Sequence, residues 1–177
     1  MKILALIGSP RKKGNTDLLV DAALGEAEKR GHTSEKLYLY NYAMRPCVDC
    51  RACKQGEKVC VQKDDLPRIY RAINAADALI LATPIYWYGP TAQMKLLIDR
   101  LRPYVANRRL ENKKVYLIAP SEEGPSACSP LVDSLKMSYK YLGLVYGGEA
   151  LVTANEKGEV AKKPEELEKA RRLLDDL

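Results

Sequence analysis

The chain of 177 residues has no phenylalanine, one histidine and one tryptophan. A lone histidine, His32, follows the helix-ending Gly31. It excludes a histidine-based metal site and a Ser–His–Asp triad, and most hydrolase chemistry with them. No apolar run approaches the ~18–20 residues of a membrane helix. The opening "MKILALIGSP" is too short for a signal-peptide core and cleavage site, so it reads as mature structure and points to a cytoplasmic protein. No Lys/Arg block with interleaved aromatics occurs, which argues against nucleic-acid binding. There is no repeat, low-complexity tract or linker, and neither a Walker A loop nor a G-x-G-x-x-G fingerprint. A nucleoside triphosphate and a dinucleotide pyrophosphate are thereby disfavoured as ligands.

Eleven tyrosines carry the aromatic load, apolar residues make up 46%, and the formal charge is +6. Such a balance suits one soluble domain over residues 1–177. The basic excess is either a solvated surface or an attraction for acidic partners.

Strand and helix patterns alternate from end to end. "KILALI" (2–7) is a near-continuous apolar run, as in a parallel strand buried on both faces. Further strands are expected at 34–40, 77–84, 113–120 and 144–153, the last loosened by Gly147 and Gly148. Helices are expected at 15–31, 64–76, 91–104, 129–143 and 163–177. This alternation implies an α/β fold: a five-stranded parallel sheet with helices on both faces. Ligands of such sheets sit beyond the carboxyl ends of the strands, where strand order reverses.

Three loops stand at that edge or near it. The first is "GSPRKKGNT" (8–16). Backbone N–H groups at a helix start form an anion site, with Ser9, Asn15, Thr16 and Arg11 as side-chain donors. An ordinary turn with an Asn or Thr N-cap is the alternative. Basic residues crowded at a helix start, where the dipole disfavours them, favour the anion site, and a single terminal phosphate suits it. The second loop, "TPIYWYGPT" (83–91), places Tyr86, Trp87 and Tyr88 side by side. Three adjacent rings cannot all enter the core; they face a planar heteroaromatic ligand, a partner subunit, or both.

The third loop, an insert at about 44–62, contains "PCVDCRACKQGEKVC". It holds four of the five cysteines: Cys47, Cys50, Cys53 and Cys60. In a reducing compartment this crowding argues for metal or redox chemistry and against structural disulfides. Zinc, a thiol redox pair, an iron–sulfur cluster and an empty loop are all open on spacing alone. Cys128 lies outside the motif and reads as a structural or incidental thiol.

"GSPRKKGNT" together with "ATPIYWYGPTAQMKLLIDR" resembles the NADPH-dependent FMN reductase group of flavodoxin-like proteins. The resemblance implies a three-layer sandwich with strand order 2-1-3-4-5. It also implies an FMN phosphate held by Ser9, Arg11, Asn15 and Thr16, and a flavin ring lined by Pro84, Ile85, Tyr86, Trp87, Tyr88 and Gly89. A third flavin loop, "APSEEGPSACSP", would contribute Ser121, Glu122 and Gly124. Glu122 and Glu123 are expected to turn away from the ring, because they would oppose an anionic reduced flavin. Within that group, "CVDCRACKQGEKVC" is similar to the compact motif of the iron–sulfur flavoproteins, which implies a 4Fe-4S cluster on Cys47, Cys50, Cys53 and Cys60. Arg45, Arg51, Lys54 and Lys58 would then favour the thiolates. No side chain stands out as an acid–base catalyst, so the flavin carries the chemistry. The resemblance implies an oxidoreductase passing electrons between ferredoxin or NAD(P)H and an acceptor, as a homodimer or homotetramer. The alternative is an NAD(P)H-dependent FMN or quinone reductase without a cluster.

Overall fold

A computed structural model describes residues 1–177. Strands β1 (Lys2–Ile7), β2 (Thr33–Tyr38), β3 (Ala78–Ala82), β4 (Lys114–Ser121) and β5 (Val145–Thr153) form one sheet. All pairs are parallel, and the order is β2-β1-β3-β4-β5. The helices are α1 (Asn15–Lys29), α2 (Leu66–Ala75), α3 (Ala92–Asp99), α4 (Arg102–Asn107), α5 (Ser129–Leu142) and α6 (Pro164–Arg171).

The apolar run in β1 divides by parity, as the two-residue strand period requires. Ile3, Ala5 and Ile7 join Leu19, Val20 and Ala23 of α1 and Ala170 of α6 in one core. Leu4 and Leu6 join Ile69 and Ile73 of α2, Met94 and Leu97 of α3 and Leu131 and Leu135 of α5 in the other. Both faces of the sheet are covered, which is the flavodoxin-like three-layer sandwich.

Three elements depart from the sequence expectation. The helix expected over 91–104 stops at Asp99 and restarts at Arg102. Pro103 has no N–H to continue the ladder and is tolerated only in a first turn, so the chain turns a corner there. The last helix ends at Arg171, after which hydrogen-bonded turns carry Leu173 and Leu174 into the core. β2 stops at Tyr38, and Leu39–Asn41 form a tighter 3₁₀ turn that buries Leu39.

The β4–β5 register slips by one residue after Val115, where Tyr116 pairs with Gly148. The reason is the Tyr116 ring, which fills the space where a Cβ at Gly147 would stand, 2.2 Å away. A side chain at position 147 would collide with the ring, and the glycine lets the strand bulge past it.

β1 connects toward β2 on one side of the sheet, and β3 lies on its other side. The switch point therefore falls between β1 and β3. Ile7 is level with Ala82, so the loops after these strands leave side by side. The Gly8 N–H donates to Ala82 O at 2.8 Å. Thr91 joins the two loops: its hydroxyl donates to Gly8 O at 2.6 Å and caps Met94 N–H at 3.4 Å.

Candidate functional site

A cavity of about 220 Å³ opens at this switch point. Ser9, Arg11, Asn15 and Thr16 line it from the loop after β1, and Pro84, Ile85 and Tyr86 from the loop after β3. Pro120, Ser121 and Glu122 close it from the end of β4. Three lining residues have no counterpart in the sequence reading: Ala154, Asn155 and Lys157, all following β5, while Pro120 belongs to the third quoted loop without having been assigned a role. Lys157 beside Arg11 gives the cavity two cations. Only the depth of the sheet brings residue 157 beside residue 11, so no local pattern announces it.

The start of α1 suits an anion. Gly14 is the N-cap residue and no side chain caps the helix. Its first N–H groups are left for another acceptor. The Asn15 side chain is committed elsewhere: its Nδ2 donates to Glu156 O at 2.8 Å, and its Oδ1 accepts from Val160 N–H at 3.2 Å. These bonds tie the loop after β5 to the start of α1, and Asn15 lines the cavity with Ser9, Arg11 and Thr16. Ser9 Oγ accepts from Arg11 N–H at 3.2 Å, tightening the turn.

Asp17, in the first turn of α1, anchors this loop from below. It accepts from Lys13 N–H at 2.8 Å, Lys36 Nζ at 2.9 Å and Tyr38 OH at 2.7 Å. Burial pushes its carboxyl pKa up, but these donors outweigh burial and hold it below the usual carboxylate value. The same carboxylate, with that of Asp21, holds Lys36 charged well above the usual lysine range against its own desolvation.

The aromatic loop makes a two-residue turn. Tyr86 and Gly89 exchange N–H···O bonds of 2.9 and 3.0 Å, and Trp87 and Tyr88 at its tip have φ of 51° and 59°. Left-handed backbone is uncommon for bulky residues and costs strain, which concentrates where a surface is used. Trp87 is 97% exposed. With Tyr88, Ile85, Ser121, Glu122, Glu123 and Ala127 it lines a second, open hollow of about 200 Å³. Glu122 lines both hollows. Gly89 and Gly124 line neither. Gly124 has φ of +82°, and a Cβ there would lie 2.9 Å from Thr153 Oγ1, so it shapes the loop.

The cysteine loop forms a separate site. Residues 44–62 contain no strand and no fully buried residue. Its neck is fastened by Ala43 N–H to Asp65 at 2.9 Å, Arg45 N–H to Asp64 at 2.9 Å and Gln62 Nε2 to Pro46 O at 3.0 Å. Cys47, Cys50, Cys53 and Cys60 are free thiols around one small cavity of about 30 Å³. They share it with Arg51, Lys54, Arg100 and Arg102. Arg45 and Lys58, expected to favour the thiolates, do not line it. Arg51 is exposed and paired with Asp49. The nearest buried cation is one that the sequence reading passed over, Arg100, whose Nη2 donates to Cys60 Sγ at 3.1 Å. Desolvation pushes the Cys53 thiol up; Arg102 pulls it partly back.

Four thiols without histidine are the donor set of an iron–sulfur or thiolate–zinc site. No three His, Cys, Asp or Glu side chains gather as a group set to hold a metal ion. Zinc requires sulfurs about 2.3 Å from one point. A four-iron cluster requires them at separated corners around a cube. The four cysteines supply the kind and number of donors that either group takes, and they are not drawn together as a formed metal site.

The remaining candidates are structural. Cys128 is buried near Ala119 O and Gly124 O at 3.7 Å, and burial pushes its thiol up to about 11. His32 lies at the surface beside the N-terminal amine, 3.3 Å away.

The doubly wound sheet and its switch-point cavity define a flavodoxin-like α/β protein. The profile of the "NADPH-dependent FMN reductase" family matches residues 1–158, and the chain belongs to that family of flavin-dependent oxidoreductases. Among its relatives, an iron-sulfur flavoprotein of Archaeoglobus fulgidus is 42% identical over 114 residues, 64% of this chain and 51% of that one. Another, of Methanocaldococcus jannaschii, is 40% identical over 113 residues, 64% of this chain and 58% of that one. The chain thus spans little more than half the length of these iron–sulfur flavoproteins. YwqN of Bacillus subtilis, provisionally named an NAD(P)H-dependent FMN-containing oxidoreductase, is 31% identical across 98% of this chain and 97% of its own. Among solved structures, the Trp repressor binding protein of Bacillus subtilis superposes with a TM-score of 0.73 at 29% identity, covering 98% of both chains. No helix is long and apolar enough to cross a membrane.

Proposed function

We propose that the chain is an iron–sulfur flavoprotein, passing electrons between ferredoxin or NAD(P)H and an acceptor through FMN and a 4Fe-4S cluster. The observation that carries this reading is that all four thiols of the 44–62 loop border one cavity, in a chain of an FMN reductase family. The uncapped start of α1, with Arg11 and Lys157, would take the FMN phosphate, and Ser9 and Thr16 line the same cavity. Pro84, Ile85 and Tyr86, with Ser121 and Glu122, would flank the ring. Cys47, Cys50, Cys53 and Cys60 would hold the cluster. Bound FMN supplies two-electron hydride chemistry, and a cluster supplies one-electron transfer. Helix α3, about 12 Å long, begins at the flavin loop and ends at Arg100 beside the thiols.

The basic surface favours an acidic ferredoxin as donor in a reducing cytoplasm. Reduction by ferredoxin is then expected to slow as salt rises from about 0.05 to 0.5 M, through screening. An equal rate at both salts would remove the electrostatic part. The exposed Trp87 and Tyr88 suit a homodimer or homotetramer contact.

An NAD(P)H-dependent FMN or quinone reductase without a cluster is the second reading, favoured by the end-to-end match to YwqN. Iron, acid-labile sulfide, zinc and FMN per chain after anaerobic purification separate the two. About four iron and four sulfide with one FMN is the expected result. FMN without iron or sulfide leaves the second reading.

A further inference from the structure

Arg100 is among the largest fully buried side chains of the protein. Its side chain is 1% exposed, and that of its partner Asp64 is 3%. The guanidinium Nη1 donates to Arg45 O at 3.0 Å and to Asp64. Nη2 donates to Cys60 Sγ at 3.1 Å and to Asp64 Oδ1 at 3.4 Å. Nε is buried without a partner. Asp64 is itself held by the N–H groups of Arg45 and Leu66 at 2.9 and 3.1 Å. A buried ion pair of this kind is commonly no more stabilising than apolar residues of the same volume. Stability alone does not explain it, and its one contact outside the neck of the loop is a cysteine sulfur.

We infer that Arg100 is a positioning residue that sets the reduction potential of the group held by the four cysteines, through its hydrogen bond to Cys60 Sγ. The inference rests on the cluster reading above. One electron from a low-potential donor would add one negative charge to the iron–sulfur group that the thiolates would hold; no bond forms or breaks. A cationic hydrogen-bond donor at a ligand sulfur offsets that charge and eases the reduction, and hydrogen bonds to sulfur are a recognised determinant of cluster potential. Burial strengthens the effect, because water does not screen it. The exposed Arg51, tied to Asp49, has no such leverage. Asp64 fixes the guanidinium by its two contacts, so that the fork presents Nη2 to the sulfur. A purely structural role, clipping the neck through Arg45 O, would leave the potential unchanged.

The test uses the full chain, reconstituted anaerobically with iron and sulfide. Wild type, Arg100→Lys and the double variant Arg100→Gln/Asp64→Asn are compared; the double variant removes the charge without stranding a buried carboxylate. Iron and sulfide are counted first. The midpoint potential is then read by dithionite titration, following the electron paramagnetic resonance signal of the reduced state. The expected result is a more negative potential in the double variant, equivalent to about a tenfold weaker preference for the electron, ~59 mV for one electron. Arg100→Lys, which keeps the charge but not the fork, falls between. Equal potentials overturn the inference while leaving the cluster in place. Should the double variant fail to fold, Arg100→Lys decides by the same reading. Wild type that takes up no iron overturns the cluster reading and this inference with it.

Discussion

Asp17 shows how one buried carboxylate organises a ligand loop. Four residues contribute to its setting: Lys13 through its N–H, Lys36, Tyr38 and, through Lys36, Asp21. Its pKa is held below the ordinary value of 3.8, so its contribution to stability is fully present above that pH. The contribution is lost as the pH falls from there through the folded-state pKa. Asp17→Asn is expected to be less stable than wild type at pH 7, and the gap in urea midpoint is expected to narrow as the pH falls below 3.8. A gap independent of pH would show that the charge of Asp17 is not what anchors the loop. Gly147 makes a steric case. Gly147→Ala places a Cβ against the Tyr116 ring, which is 0% exposed and hydrogen-bonded to Asp176 at 2.7 Å. A loss of about 1–3 kcal/mol by urea denaturation is expected from such overpacking.

At the scale of elements, the switch-point cavity depends on two loops keeping step, and Thr91 is their tie. Its hydroxyl satisfies the buried Gly8 O and caps α3. Thr91→Val keeps the shape and removes the hydroxyl, leaving Gly8 O without that donor. The expected cost is about 1–3 kcal/mol in stability. Because Gly8 opens the loop proposed to take the FMN phosphate, FMN affinity is expected to fall roughly tenfold, equivalent to about 1.4 kcal/mol. Titration of the apoprotein by quenching of FMN fluorescence measures it. The corner between α3 and α4 matters in a different way. A continuous helix over 91–104 would carry Arg100 and Arg102 along one straight axis. The break between Asp99 and Arg102 instead leaves Arg100, Arg102 and Pro103 all on the cysteine cavity.

Across the molecule, the two sites have separate supports. The switch-point cavity stands on the sheet and its two cores, whereas residues 44–62 contribute no fully buried residue. Their neck is already closed by the hydrogen bond from Gln62 to Pro46. Replacing residues 47–60 with a short Gly/Ser link is therefore expected to leave FMN content and the cooperative unfolding transition intact while abolishing iron binding. Loss of FMN from this variant would show that the loop supports the flavin cavity as well. Quantitation of flavin and iron in the purified variant distinguishes the outcomes.

The sequence by itself determined the alternation of strands and helices, because periodicity and turn chemistry are written in near neighbours. "KILALI" read as a strand buried on both faces, and the strand order 2-1-3-4-5 followed from the flavodoxin-like resemblance. The loops bearing the chemistry were visible for the same reason: GSPRKKGNT, TPIYWYGPT and the cysteine run each depart in composition from the core around them. What only the tertiary structure decided is which side chains meet. Arg100 sits in "LLIDRLRP", where an arginine beside an aspartate reads as an ordinary solvated face. Packing turns it inward onto Cys60, forty positions earlier in the chain. Asn15 reads as a phosphate donor, yet its amide holds the loop at 156–160 across the sheet. Lys157 joins Arg11 in one cavity because β5 ends at the same edge as β1. Such convergence depends on crossover connections and on the depth of the sheet, and those distances have no imprint in the spacing of residues along the chain.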